Sequence, residues 1–472
     1  MPTEPTTDIK LKPAQRRTNF LSQLNWRDYV FALIALLGFA FAGHRTQHIT
    51  DSYEIVILVA SAISCVALAW FWRPLQIVFL AIALLSMSGI SLYQNQLPDA
   101  KPAFWLQYAL SSQSAVVWMS TLFFICTVLY WAYSLSGKEM LGWLASKITY
   151  VALIFGGVAM MMRWYESYLV GADVGHIPVS SLYEVFILFV LLTAAFYLYY
   201  EQRYQTKHLG GFVMLVVCAA VGFLIWYALA REAQDIKALV PALKSWWMKI
   251  HVPANFVGYG TFSLAAMVGM AYIVKFLGTP YADLPKAIRL FSAANVSEAE
   301  RAAKHAKWAP LVGVSIWLLG AALFLQPLFF RPKVDAAVFA NYWFYYFAIG
   351  LVLIGGILLT RKRLAHVLPA FHVLDDIMYK AISIGFLFFT IATILGAMWA
   401  ADAWGKYWSW DPKETWALVV WLNYAAWLHL RLVNGLRGLV GAYWALVGLL
   451  ITGFAFLGVN VFLSGLHSYG AL

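Results

Sequence analysis

Residues 379–427 read YKAISIGFLFFTIATILGAMWAADAWGKYWSWDPKETWALVVWLNYAAW. From Ala381 to Met398 no side chain is charged. At 1.5 Å per helical residue that run approaches the roughly 30 Å thickness of a hydrocarbon core. A short loop of tryptophan, tyrosine and a few charges follows, and a second apolar run opens near Glu414. The pattern is one of membrane helices joined by interfacial loops. Similar runs recur along the chain, starting near residues 29, 53, 75, 115, 148, 180, 211, 253, 308, 342, 379, 414 and 439. The sequence therefore predicts an all-α polytopic membrane protein with about 13 transmembrane helices. A composition of 62% hydrophobic and only 12% charged residues agrees, because so little polar surface cannot cover a water-soluble globule of 472 residues. The period-2 alternation of a membrane β-barrel is absent.

The formal charge of +11 does not argue for nucleic acid. Lys and Arg fall in short clusters between apolar runs rather than along one amphipathic face. The clearest are Lys10, Lys12, Arg16 and Arg17, the segment Lys275–Lys307, and Arg361-Lys362-Arg363. With the N-terminus cytoplasmic, the inside segments hold about twice as many basic residues as the outside ones, as the positive-inside rule requires. The C-terminus is then external. Residues 1–27 form a polar, proline-bearing cytoplasmic tail without signal-peptide character, residues 28–147 carry N-terminal helices of unassigned role, and residues 148–472 form the remaining membrane domain. The cysteines, Cys65, Cys126 and Cys218, lie inside apolar runs without CxxC spacing, which supports neither a disulfide framework nor a thiol-redox centre.

This topology brings His251, the loop Trp399–Asp411 and His467 to one external side. Within 399–414, Asp411-Pro412-Lys413-Glu414 reads as the capped start of a helix, with Asp411 as N-cap, Pro412 at the first helical position and Glu414 three residues after the cap. Between Trp399 and Trp427 lie seven of the 22 tryptophans. An interfacial aromatic belt explains some of them. The density of Trp404, Tyr407, Trp408 and Trp410 in one loop equally suits a platform for a large planar ligand. His429 lies within an apolar helix near its inner end, where an ionisable group is costly and usually functional. A hydrogen bond from one helix to another is the alternative there. His176 belongs to another external loop, GHIPVSSLYE, as a shaping or ligand-contacting residue rather than a metal ligand. His208, His366 and His372 fall in inside loops, and His44, His48 and His305 have no supporting context.

The string WGKYWSWDPKETWALVVWL resembles the tryptophan-rich WWD signature of haem-handling proteins. Together with LHLR, GLHSY, RWYESYL and GHIPVSSLYE it is similar to the CcsA (ResC) family of system II cytochrome c biogenesis, over roughly residues 150–472. The resemblance implies haem b (iron protoporphyrin IX) held externally between His251 and His467 against the WWD loop. It makes His429 one ligand of a second, intramembrane haem whose companion ligand comes from a CcsB (ResB)-like membrane subunit. The implied activity is holocytochrome c synthetase (haem lyase) action together with that subunit, attaching haem to the CxxCH motif of apocytochrome c, with a thiol-reducing thioredoxin-like protein as a further partner. Arg163, Lys249, Arg331, Lys333, Lys406 and Lys413 are the external cations available to the haem propionates. The expected location is the bacterial cytoplasmic membrane, with the thylakoid as the alternative. A CcmC/CcmF-type haem shuttle or lyase, a diheme electron-transfer subunit and a haem-free transporter are the rival readings; diheme carriers place paired histidines within spans, whereas only His429 is deeply placed here.

Overall fold

The computed structural model describes residues 20–46, 52–93, 103–171, 173–285, 352–433 and 435–459, with isolated positions at 311, 314, 315, 318, 349, 350, 463, 465 and 466. Among them lie helices α1 (Trp26–Thr46), α2 (Ser52–Phe71), α3 (Pro74–Leu92), α4 (Ser112–Ser136), α5 (Glu139–Val170) and α6 (Leu182–Tyr204). They continue as α7 (Gly210–Arg231), α8 (Met248–Gly278), the short α9 (Arg361–Val367), α10 (Phe371–Trp404), α11 (Pro412–Val433) and α12 (Leu439–Gly453), which runs on as a π-turn, Phe454–Gly458. Ten helices among the described residues are long and apolar enough to cross a membrane, and α2 supplies a shorter apolar one. Each expected span coincides with a helix except those near residues 308 and 342, whose starts lie outside the described residues.

The chain forms two units, Met1–Leu80 and Ala81–Leu472. In the first, the Asp28 carboxylate is 1% exposed and accepts hydrogen bonds from Arg73 and Gln76, while Trp70 Nε1 donates to Asp28 O, tying α1 to the end of α2 and the start of α3. In the second, α8 is the central element: its apolar window is 94% buried, with α10, α12 and α6 packed against it. Such an approach needs small residues. A Cβ at Gly385 of α10 would lie 2.5 Å from Thr261 Oγ1 of α8, so only glycine permits that crossing.

Two helix starts differ from hydropathy. The span expected near 148 begins at Glu139, and that expected near 379 begins at Phe371. The added turns of α10 carry charges that are paired. Asp376 accepts from Lys380 at 2.7 Å, and Asp375 is bridged to Arg431 of α11. His366 and His372 correspondingly lie on α9 and in the first turn of α10, not in loops. His208 does occupy a turn, between α6 and α7, where it stacks on Tyr133 with ring centroids 4.4 Å apart. The three cysteines are free, on α2, α4 and α7.

Candidate functional site

The tryptophan loop begins where α10 ends, at Gly405, whose φ of 74° closes the helix in the left-handed conformation. It ends at Asp411, the start of α11. The cap predicted from spacing is present: Glu414 Oε2 accepts the N–H groups of Ser409 (2.7 Å) and Asp411 (3.2 Å), and Asp411 Oδ2 accepts that of Lys413 (3.1 Å). Both carboxylates are buried, Asp411 at 7% and Glu414 at 8% exposure. Asp411 does more than cap. Its Oδ1 accepts the backbone N–H of Leu466 at 2.6 Å, and the chain passes so close that a Cβ at Gly465 would sit 2.3 Å from that oxygen. The segment leading to His467 is thus fixed against the start of α11; His467 itself lies outside the described residues.

Within the loop the aromatic rings meet edge to face. Trp408 and Trp410 have centroids 5.9 Å apart at 88°, and Trp404 meets Trp399 at 4.8 Å and 65°. The quadrupoles of indole rings favour this arrangement over a single flat sheet. Trp399 is 2% exposed and anchored by its Nε1, which donates to Ala242 O at 3.0 Å. Trp410 and Tyr407 are both 68% exposed, and Trp410 has φ of 59°, a conformation costly for a non-glycine residue.

His251 stands one turn into α8, above the stacked pair Trp246 and Trp247, whose centroids are 3.8 Å apart. Its Nδ1 lies 2.7 Å from Ala392 O of α10. A carbonyl only accepts, so Nδ1 carries the hydrogen and the lone pair of the neutral ring is on Nε2. This is the orientation device seen in metal-ligating histidines, where the second ring nitrogen is held by a carbonyl. Room for the ring comes from Gly396, where a Cβ would lie 2.7 Å from His251 Cε1. The imidazole lies nearly parallel to Trp399, at 6.4 Å and 16°.

These groups share one cavity of about 740 Å³, within the range of small-molecule sites. His251, Trp399, Tyr407 and Trp408 line it, as does His176. Deeper, Phe256, Tyr259, Phe389 and Phe456 give it an aromatic wall. Phe456 belongs to the π-turn that ends α12, a local distortion that recurs at functional sites. Trp404, Trp410 and Asp411 are not on the cavity wall but support residues that are. Of the expected cations, Arg163 and Lys413 line the cavity; Lys249 and Lys406 do not, and Arg331 and Lys333 lie outside the described residues. Arg231 and Lys237 also line it, and sequence reasoning missed both. An imidazole of fixed tautomer, an aromatic wall and cations on one cavity make a donor set that fits a haem with its two carboxylates.

Sequence reasoning also missed Glu184. Its carboxylate is fully buried, with Oε1 accepting from Arg163 Nε at 2.8 Å and lying 3.3 Å from His176 Nε2. Oε2 accepts the N–H groups of Ser180 and Ser181, each at 3.0 Å, completing the capping box of α6. His176 Nδ1 is 2.7 Å from Val174 O. Burial alone would lower the His176 pKa, but the hydrogen bond to Glu184 and its charge outweigh that and raise it above the ordinary histidine value. The signal available in sequence was two opposite charges inside neighbouring apolar runs, which only pairing makes tolerable.

His429 is elsewhere. It is on an exposed side of α11 and makes no hydrogen bond among the described residues. Its neighbour Arg431 is committed to Asp375 and to the rings of Tyr379 and Trp427. No group of three or more His, Cys, Asp or Glu residues that could hold a metal occurs among the described residues.

The fold and site are those of a multi-pass membrane protein with a cavity lined by aromatic and charged side chains. Residues 179–467, from the His176 loop's end through the tryptophan loop to His467, match the family model described as Cytochrome C assembly protein, and the chain belongs to that family. Within it the similarity is to CcsA proteins of cytochrome c biogenesis. The chain is 31% identical to the cytochrome c biogenesis protein CcsA of Chlorella vulgaris over 355 residues, 74% of this chain and 94% of the relative. It is 31% identical to that of Gloeobacter violaceus over 349 residues (74% and 93%) and 32% identical to that of Synechococcus sp. (strain CC9311) over 311 residues (66% and 83%).

Proposed function

We propose that the protein receives haem b at the level of His429, moves it to the external face, and presents it between His251 and His467 for attachment to apocytochrome c. The observation that carries this reading is the His251 imidazole, fixed by Ala392 O in the tautomer a metal ligand needs, on the wall of a cavity shared with Trp399, Tyr407 and Trp408. The Asp411–Leu466 hydrogen bond supports it by holding the chain beside His467 at the same loop. Trp404, Trp410 and Asp411 would act by buttressing the ligand-facing rings.

Haem supplies two vinyl groups, to which the thiols of a CxxCH segment add as thioethers. The chain's contribution is to orient and shield. His251 and His467 would hold the iron, the indoles would exclude water from one face, and Arg231, Lys237 and Lys413 would offer charge to the propionates. The exposed His429 face fits a haem ligated jointly with a second membrane subunit of the CcsB (ResB) kind, so that synthetase activity belongs to the complex. A thioredoxin-like reductant would keep the apocytochrome thiols reduced. The membrane is the bacterial cytoplasmic membrane in this reading.

Coexpression of the chain and its partner subunit with a CxxCH-bearing apocytochrome tests the activity. The expected result is haem that stays on the apocytochrome after denaturation. Haem that remains wholly on the membrane protein would favour a diheme electron carrier, and a preparation without haem would favour a transporter.

A further inference from the structure

Glu184 organises two loops at once. Through Ser180, Ser181 and His176 it holds the segment 173–181, of which Val179 and Ser180 line the cavity. Through Arg163 it is joined to the segment 232–240, because Arg163 Nη1 donates to Gln234 O at 2.6 Å and Nη2 reaches Asp235 O at 3.4 Å. Gln113 Nε2 adds a donor to the same Gln234 carbonyl at 3.3 Å, and Lys244 Nζ of the following turn donates to Asp173 O at 3.2 Å. Three helices, α4, α5 and α6, thus hold two loops of one cavity wall.

The charge of this cluster is also defined by its hydrogen bonds. Val174 O and the Glu184 carboxylate are acceptors only, and they face the two ring nitrogens of His176. Two acceptors facing the two nitrogens favour the doubly protonated ring, in line with the raised His176 pKa. Two cations, Arg163 and His176, share one carboxylate that is 0% exposed, while Glu232 and Asp235 of the 232–240 segment also line the cavity. Nothing in helix capping alone calls for a second cation there.

We propose that Arg163, Glu184 and His176 are positioning residues: they clasp loops 173–181 and 232–240 together as one side of the cavity in which the ligand is retained. The clasp stands on the geometry by itself, and only the identity of the ligand as haem rests on the function proposed above. Breaking the pair at either end leaves a buried charge uncompensated, so the loops separate before the helices do.

The test uses the full chain with Cys65, Cys126 and Cys218 replaced by alanine and a single probe, Val179→Cys, at a loop position that is 6% exposed. Maleimide labelling of the ligand-free protein is followed in this parent and in Glu184→Gln, Arg163→Lys and His176→Gln, each checked for unchanged helix content. Haem loss to excess apomyoglobin is measured on the same set. Labelling about tenfold faster in Glu184→Gln, with the charge-conserving Arg163→Lys between it and the parent, is the expected result. His176→Gln, which keeps one amide donor, should also lie between them. Haem loss should accelerate in the same order. Unchanged labelling in all three variants would overturn the clasp, as would fast labelling in Arg163→Lys equal to that in Glu184→Gln. Accelerated labelling with no haem bound by the parent would uphold the clasp and sink the haem reading instead. Should Glu184→Gln fail to fold, the two other variants still cut the same cluster from α5 and from the 173–181 loop.

Discussion

At its Pro412 end, α11 starts from two buried carboxylates whose oxygens are occupied by the backbone of its own loop and by Leu466; towards its other end, His429 stands exposed with no hydrogen bond among the described residues. One helix therefore joins a site built within the chain to a histidine whose setting is incomplete. Buried polar groups need partners, and an ionisable side chain facing lipid is costly. The two ends should therefore respond differently to mutation: changes at the first should alter the chain alone, changes at the second should register only with something bound against it.

The largest expected effect is at the clasp beside the first site. Arg163→Met leaves Glu184 buried and short of its best partner, and should lower the stability of the ligand-free chain by about 3–5 kcal/mol, read as a drop in detergent unfolding temperature. Asp411→Ala comes next, because it removes a helix cap and the acceptor of Leu466 N–H together. A loss of about 2–4 kcal/mol is expected, with Asp411→Asn recovering much of it. Equal stability of Asp411→Ala and the parent would erase the contrast between the ends of α11. Gly396→Ala pushes a methyl group to within 2.7 Å of His251 and should weaken haem retention about tenfold while leaving helix content unchanged.

The smallest effect is one of pH. Because His176 has its pKa raised in the folded protein, its contribution to stability is complete below the ordinary histidine pKa and is lost as pH rises through the raised value. A stability profile that falls over that window in the parent and is flat there in His176→Gln is expected. A rise with pH over the same window would contradict the assignment. His429→Ala, by contrast, should leave the unfolding of the chain alone unmoved while lowering the haem carried by the complex with its partner subunit.

How much of this was readable beforehand followed from the range of each interaction. The Asp411–Glu414 cap was legible because capping depends on residues three apart, and the apolar runs gave the helices because lipid demands them. His251 and His467 were singled out by sidedness and resemblance, but the bond to Ala392 that fixes the His251 ring joins residues far apart in sequence and leaves no local trace. Glu184 went unread for the same reason: its partners come from α5 and two loops. The start of α10 was misplaced because hydropathy scores Asp375, Asp376 and Lys380 as exposed, whereas pairing keeps them in the helix.

The joining of two imidazoles on one iron is tested most directly by the ferric haem spectrum of His251→Gly and His467→Gly, each with His429→Ala to remove the other haem, with and without added imidazole. The account predicts that both variants lose the low-spin signature and that imidazole restores it in each. A full low-spin spectrum retained by both without imidazole would contradict it.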